Sequence, residues 1–190
     1  MNKILSTILI FIFFVVSVGE VKAKINIFPN PRYIPALSFY GESGKAYRLT
    51  DFKEDMLMAV VWSRRCGPCV ADLKHLKMFA KRVEKQGIKV ILISPESEWK
   101  TADERRLFMK RVGGDGLVNY LDRKANFRDG MGLRVTPTVI LVNKNGEEMG
   151  QITGSVDWDD EDVIEYMINL KNDELKKLDK QKSANEQNQK

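Results

Sequence analysis

Histidine and cysteine are nearly absent from this chain. Its 190 residues include one histidine, His75, and two cysteines, Cys66 and Cys69. A structural zinc site takes four ligands in tetrahedral array, more than this pair and one histidine readily supply. Both cysteines lie in Cys66-Gly67-Pro68-Cys69, so any disulfide within the chain joins those two, and no further cysteine can relay electrons inside it. A bridge across so short a loop removes little entropy from the unfolded chain, which argues against a purely structural staple. A basic stripe is also missing. The net charge is +5, but acidic and basic residues are interspersed and no nucleic-acid-binding motif stands out, which argues against a nucleic-acid partner. No internal repeat is visible, and the length suits one domain with a full core rather than two.

The chain has one long apolar stretch, Ile4 to Gly19, and at about 15 residues it is short for a membrane span, which needs roughly 17 or more. Lys3 precedes it, and Val21 and Ala23 occupy the small-residue positions of a cleavage site, the outline of an export signal. Residues 1–23 are therefore expected to be a signal peptide cleaved after Ala23, with an uncleaved membrane anchor as the alternative. Cleavage would lower the net charge from +5 to +4, because Lys3, Lys22 and Glu20 leave with it. Either way the domain is expected outside the cytoplasm, where disulfides form and persist. Membrane contact is expected only if the segment is retained.

The proline-rich residues 24–35, with Pro29, Pro31 and Pro35, read as a linker into the domain. Leu37 and Phe39, the turn Gly41-Glu42-Ser43-Gly44, and Tyr47 to Leu49 predict an N-terminal hairpin. Met56 to Trp62 and Ile88 to Ser94 are short apolar runs that read as buried strands. Between them, Val70, Leu73, Leu76, Phe79, Ala80 and Val83 give a helical stripe ending at Gly87. A helical pattern follows over 101–112, then a small strand over 117–121 and a short helix over 126–131. Thr138 to Val142, the turn Asn143-Lys144-Asn145-Gly146 and Glu147 to Ile152 form the strongest hairpin signal. Asp157 or Asp159 is expected to cap a last helix carrying Val163, Ile164, Met167, Ile168 and Leu170. The domain should occupy 36–178, and residues 179–190, without a large apolar side chain beyond Lys180, should be a disordered tail. Alternating strands and helices predict an α/β fold with a mixed central sheet flanked by helices.

Cys66 falls at a strand-to-helix junction and Cys69 in the first helical turn. Pro68 sits in that opening turn, where its missing N–H costs nothing. Unpaired N–H groups and the helix dipole favour a thiolate there by roughly 0.3–1 kcal/mol, and up to ~2 when partly buried. Arg64 and Arg65 add positive charge beside Cys66, which lowers a cysteine pKa further. Cys66 is thus the expected attacking thiolate, and Cys69 the thiol that resolves a mixed disulfide.

Trp62-Ser63-Arg64-Arg65-Cys66-Gly67-Pro68-Cys69 after the first central strand, with Val135-Thr136-Pro137-Thr138 before the hairpin, resembles the thioredoxin superfamily and, more narrowly, its exported TlpA/ResA-like branch. The resemblance covers about Ile34 to Leu170 and includes a helix-strand insertion after Ser94. It implies a thioredoxin-like fold, a cis peptide bond before Pro137, and a loop at Thr136 that offers backbone hydrogen bonds to a substrate peptide. Trp62, Arg65, Gly67, Pro68, Thr136 and Pro137 are the substrate-binding residues expected on this basis, although Trp62 also suits packing around the active-site strand. Two residues depart from the family pattern. Arg65 stands where the family usually has an aromatic residue, and Val60 stands where cytoplasmic thioredoxins carry a buried aspartate. Asp72, on the same helix face as Cys69 and where the branch often has glutamate, is the candidate to take the resolving thiol's proton. A solvated residue in the first turns is the alternative. His75 is displaced from that face and reads as structural or surface. Glu96, Glu98 and Trp99 in the insertion receive no assigned role.

These observations predict an extracytoplasmic thiol-disulfide oxidoreductase that reduces protein disulfides and needs no cofactor or metal. The Gly-Pro dipeptide matches the reducing thioredoxins, and the branch implies dedicated reduction in cytochrome c or copper-site assembly, with a membrane electron carrier restoring the thiols. The alternatives are an exported copper chaperone that uses the cysteine pair as soft ligands and a disulfide-forming oxidase.

Overall fold

The computed structural model describes residues 23–187. The expected signal segment, apart from Ala23, and the last three residues of the expected tail lie outside them. An eight-stranded mixed sheet runs through the domain, with strands in the order β1-β8-β7-β4-β5-β6-β2-β3. Its centre is β4 (Met56–Val61), parallel to β5 (Ile88–Pro95) and antiparallel to β7 (Thr138–Asn143). Every residue of β4 and β7 is buried, as expected of strands covered on both faces.

Alternation along β4 divides the core in two. Met56, Met58 and Val60 meet Leu73, Leu76 and Phe79 of α1 (Gly67–Glu84) and Ile164 and Met167 of α4 (Glu161–Gln187). Leu57, Ala59 and Val61 face the other way, toward Phe39, Tyr120 and Phe127. That second layer comes from the N-terminal hairpin of β2 (Phe39–Tyr40) and β3 (Ala46–Tyr47), from β6 (Asn119–Asp122) and from α3 (Asn126–Gly130). The phenyl ring of Phe39 meets the Tyr120 and Phe127 rings edge-on at 5.0 and 5.3 Å, a favourable aromatic geometry. The insertion after β5 supplies α2 (Ala102–Arg111) and β6, and β6 extends the parallel part of the sheet by pairing Leu92 with Asn119. Thr101 caps α2, its hydroxyl accepting the Glu104 N–H at 3.0 Å.

Three expectations are corrected. Residues 24–35 are not only a linker, because β1 (Lys24–Arg32) pairs antiparallel with β8 (Glu148–Thr153) through Lys24↔Thr153 and Ile27↔Gly150. The prolines are tolerated because β1 is an edge strand, and Pro29 and Pro31 fall where the register shifts between Ile27 and Arg32. Asp160, rather than Asp157 or Asp159, starts α4: its carboxylate accepts the Asp162 N–H at 2.9 Å and its carbonyl accepts the Ile164 N–H. Residues 179–187, expected in a disordered tail, continue α4 to Gln187. Its middle is anchored where the Asn143 side-chain amide donates to Glu174 at 2.9 Å, and the Lys, Glu, Gln and Ala that follow favour helix without needing burial. Among the described residues no helix is long and apolar enough to cross a membrane.

The docking of β1 depends on Gly150, where an added Cβ would lie 2.5 Å from the Asn26 carbonyl oxygen and 3.0 Å from the Ile27 Cα. Gly150→Val is expected to cost about 1–3 kcal/mol by overpacking. Urea unfolding measures the loss, and hydrogen exchange should show faster exchange across residues 24–32.

Candidate active site

The loop that leaves β4 ends at Cys66, the N-cap of α1, with Pro68 in the first turn of the helix. Cys66 and Cys69 are joined in a disulfide, their Cα atoms 5.2 Å apart. The Cys69 N–H donates to Cys66 Sγ at 3.2 Å, so a backbone donor already points at the atom that would carry negative charge as a thiolate. Cys69 is 3% exposed, whereas Cys66 is half-buried and Gly67, Pro68 and Arg65 are exposed. Solvent therefore reaches the pair from the Cys66 side.

Opposite the disulfide lies the turn before β7. The Thr136–Pro137 peptide bond is cis, and the Thr136 carbonyl oxygen is 3.5 Å from Cys66 Sγ. The Thr138 hydroxyl donates to the Val135 carbonyl at 2.8 Å, and the Gly154 N–H donates to the Pro137 carbonyl at 2.9 Å, so the turn is tied at both ends. Pro137 is buried and Thr136 half-buried.

The insertion holds the loop before Cys66 from its other side. One Glu98 oxygen accepts from the Ser63 hydroxyl and the other accepts the Arg64 N–H at 2.9 Å. Ser63 Oγ in turn accepts the Arg65 N–H at 3.0 Å. The Arg64 guanidinium reaches Glu104 at 2.7 Å and lies over the Trp99 ring. Glu98 and Trp99, which had no role in the sequence reading, are thus parts of the site's frame. Their partners are remote in sequence, and no local pattern announces them. Glu96 instead pairs with Arg123 at 2.9 Å.

Trp62 corrects an expectation. It is 1% exposed and offers no surface to a substrate. Its ring packs beside Trp99 and Phe108, and its indole N–H donates to Asn119 at 2.9 Å. Asn119 and Trp99 both donate to the Ser94 hydroxyl, so the buried polar atoms of this aromatic cluster are satisfied. His75 is exposed and contacts Asp159 just before α4.

Asp72 lines a cavity of about 10 Å³ together with Val60, Cys69, Pro137 and Trp158. A space of that size is at the threshold for one water. Val60 is 4% exposed and gives this cavity an apolar floor. Burial pushes the Asp72 carboxyl above its ordinary pKa, against the lowering effects of Ser155, His75 and the Val156 backbone. Ser155 Oγ is itself buried and makes no hydrogen bond of good geometry with another protein group. Among the described residues no three His, Cys, Asp or Glu side chains converge as metal ligands.

The Redoxin family profile matches residues 30–168. The chain belongs to the Redoxin family. It is 26% identical over 128 residues to the thiol-disulfide oxidoreductase ResA of Geobacillus thermodenitrificans, covering 67% of this chain and 70% of that protein. It is 27% identical over 132 residues to the thiol:disulfide interchange protein DsbE of Vibrio cholerae, covering 68% of each. A crystal structure of a DsbE-type protein from Chlorobium tepidum superposes with a TM-score of 0.62 at 18% identity, over 74% of this chain and 96% of that one. The fold is thioredoxin-like, and this Redoxin is a TlpA/ResA-like thiol-disulfide oxidoreductase.

The raised Asp72 pKa has a thermodynamic consequence. The folded protein holds that proton more tightly than the unfolded chain, so stability falls as pH rises from the ordinary carboxylate value through the raised one. Asp72→Asn is expected to remove this fall, as read from urea unfolding of the oxidised protein across the acid range. An unchanged pH dependence would show that the carboxyl titrates as an ordinary aspartate.

Proposed function

We propose that this Redoxin reduces disulfides of exported proteins outside the cytoplasm, with Cys66 as nucleophile and Cys69 as resolving thiol. The observation that carries the proposal is the asymmetry of the pair: Cys66 is accessible at the helix N-terminus and Cys69 is buried behind it. In the reduced enzyme the Cys66 thiolate attacks one sulfur of the partner disulfide, forming a mixed disulfide and releasing the other partner sulfur as a thiolate. Cys69 then loses its proton and attacks Cys66 Sγ. The Cys66–Cys69 bond forms, the mixed bond breaks, and the second partner thiolate leaves. Two electrons have passed to the partner, and its two thiolates take up protons.

Asp72 is the group proposed to accept the Cys69 proton. It lines the same cavity as Cys69, and its raised pKa makes it a better base than an ordinary aspartate. Arg65, Gly67, Pro68, Thr136 and Pro137 are proposed to form the surface that meets the partner. Extracytoplasmic location rests on the export pattern of residues 1–23, and reduction as the direction rests on the Gly-Pro dipeptide between the cysteines. A role in cytochrome c or copper-site assembly, with a membrane electron carrier returning electrons, follows the branch it resembles.

The reduction potential of the pair tests the direction. A reductase is expected near the thioredoxin value of about −270 mV, and a value more oxidising than that of protein disulfide isomerase, about −180 mV, would overturn it. Cys69→Ser should accumulate mixed disulfides with protein substrates on non-reducing gels, and Cys66→Ser should form none. Asp72→Asn should slow release of the mixed disulfide roughly 10²-fold or more, the usual scale of general-base help. An unchanged release rate would remove Asp72 from the mechanism.

A further inference from the structure

Two arginines belong to the chain segments that meet at the disulfide. Arg65 immediately precedes Cys66, and Arg134 lies two residues before Thr136, whose carbonyl is 3.5 Å from Cys66 Sγ. Both are exposed, and neither makes an ion pair among the described residues. Three other arginines are paired, Arg64 with Glu104, Arg123 with Glu96 and Arg128 with Asp129. Glu98 is the carboxylate nearest the loop, and it is occupied by the Ser63 hydroxyl and the Arg64 N–H. Of the acidic residues before and at the start of α4, Asp159 meets His75 and Glu161 meets Arg82 on α1, while Asp157 lies near Asp72 on the Cys69 side. Between Arg134 and Thr136, Val135 is 52% exposed.

Resting on the proposed exchange reaction, we propose that the partner is a protein segment whose reacting cysteine is flanked by aspartate or glutamate. Arg65 and Arg134 receive its carboxylates, and Val135 receives an apolar side chain between them. The Ser63 hydrogen bond to the Arg65 N–H contributes by fixing the backbone from which that guanidinium projects. Charges placed beside a reacting centre raise the encounter rate of an opposite charge by roughly tenfold or more, and the effect declines with ionic strength. They also disfavour a cationic partner at the same place.

The test uses the full chain reduced with dithiothreitol and freed of excess reagent. Single-turnover rates are measured with disulfide-linked peptides that differ only in the flanking residues, glutamate, glutamine or lysine, and with the uncharged 2-hydroxyethyl disulfide. At low salt the glutamate peptide should react roughly tenfold or more faster than the lysine peptide, with the gap closing at high salt. The ratio of the two rates within one variant cancels any change in thiolate population at Cys66. That ratio should collapse toward one in Arg65→Gln/Arg134→Gln and invert in Arg65→Glu/Arg134→Glu. Equal rates for the three peptides in a protein that reduces the uncharged disulfide would overturn the proposal and leave the reductase intact. Failure to reduce any of the four compounds would overturn the reductase and the charge preference with it.

Discussion

Everything at the site depends on one register, the pairing of Val61 in β4 with Thr138 in β7. β4 delivers the chain into the loop that ends at Cys66, and β7 begins just after the cis bond at Pro137. Hydrogen bonding along the two strands therefore places the Thr136 carbonyl against Cys66 Sγ. A slip of one residue would turn Met56, Met58 and Val60 away from α1 and carry the disulfide away from its loop. Burial on both faces makes such a slip costly: β4 is flanked by one hydrophobic layer containing Phe79 and another containing Phe127.

Around this fixed centre the two sides of the site differ in chemistry. Toward α2, the loop before Cys66 is gripped by Glu98, while Arg64 is held by Glu104 and Trp99. Toward α4, Asp72 is kept partly dry beside Cys69. Val60 leaves this cavity without a charged group on the strand, so the carboxylate comes from the helix instead. The Cys66 sulfur thus accepts a backbone N–H, and Cys69 lines the same cavity as a carboxyl that resists ionisation. This division suits a sequence in which one thiol attacks first and the other must be deprotonated later.

Much of the fold is legible in local pattern. The apolar runs at Met56–Val61 and Ile88–Ser94, the helical stripe through Leu73, Leu76 and Phe79, and the Asn143–Gly146 turn all form where the periodicities place them. The departures have physical causes. Pro29 and Pro31 disguise β1, because an edge strand with a register shift needs few of its own N–H groups in the ladder. The end of α4 is disguised by its polarity, since a helix already nucleated by Ile164 and Met167 extends on propensity without an apolar face.

The amino-acid sequence by itself determined the chemistry available: two cysteines in one motif, a helix starting between them, a proline in its first turn and arginines before it. It could do so because these features act over a few residues. Only the tertiary structure decided how those groups are arranged. It buried Trp62, gave Glu98 a role across 35 residues of chain from Ser63, set Asp72 and Cys69 around one cavity, and brought together the segments that carry Arg65 and Arg134, neither of them ion-paired among the described residues. Each outcome depends on which strands become neighbours, and non-local pairing leaves little trace in local periodicity.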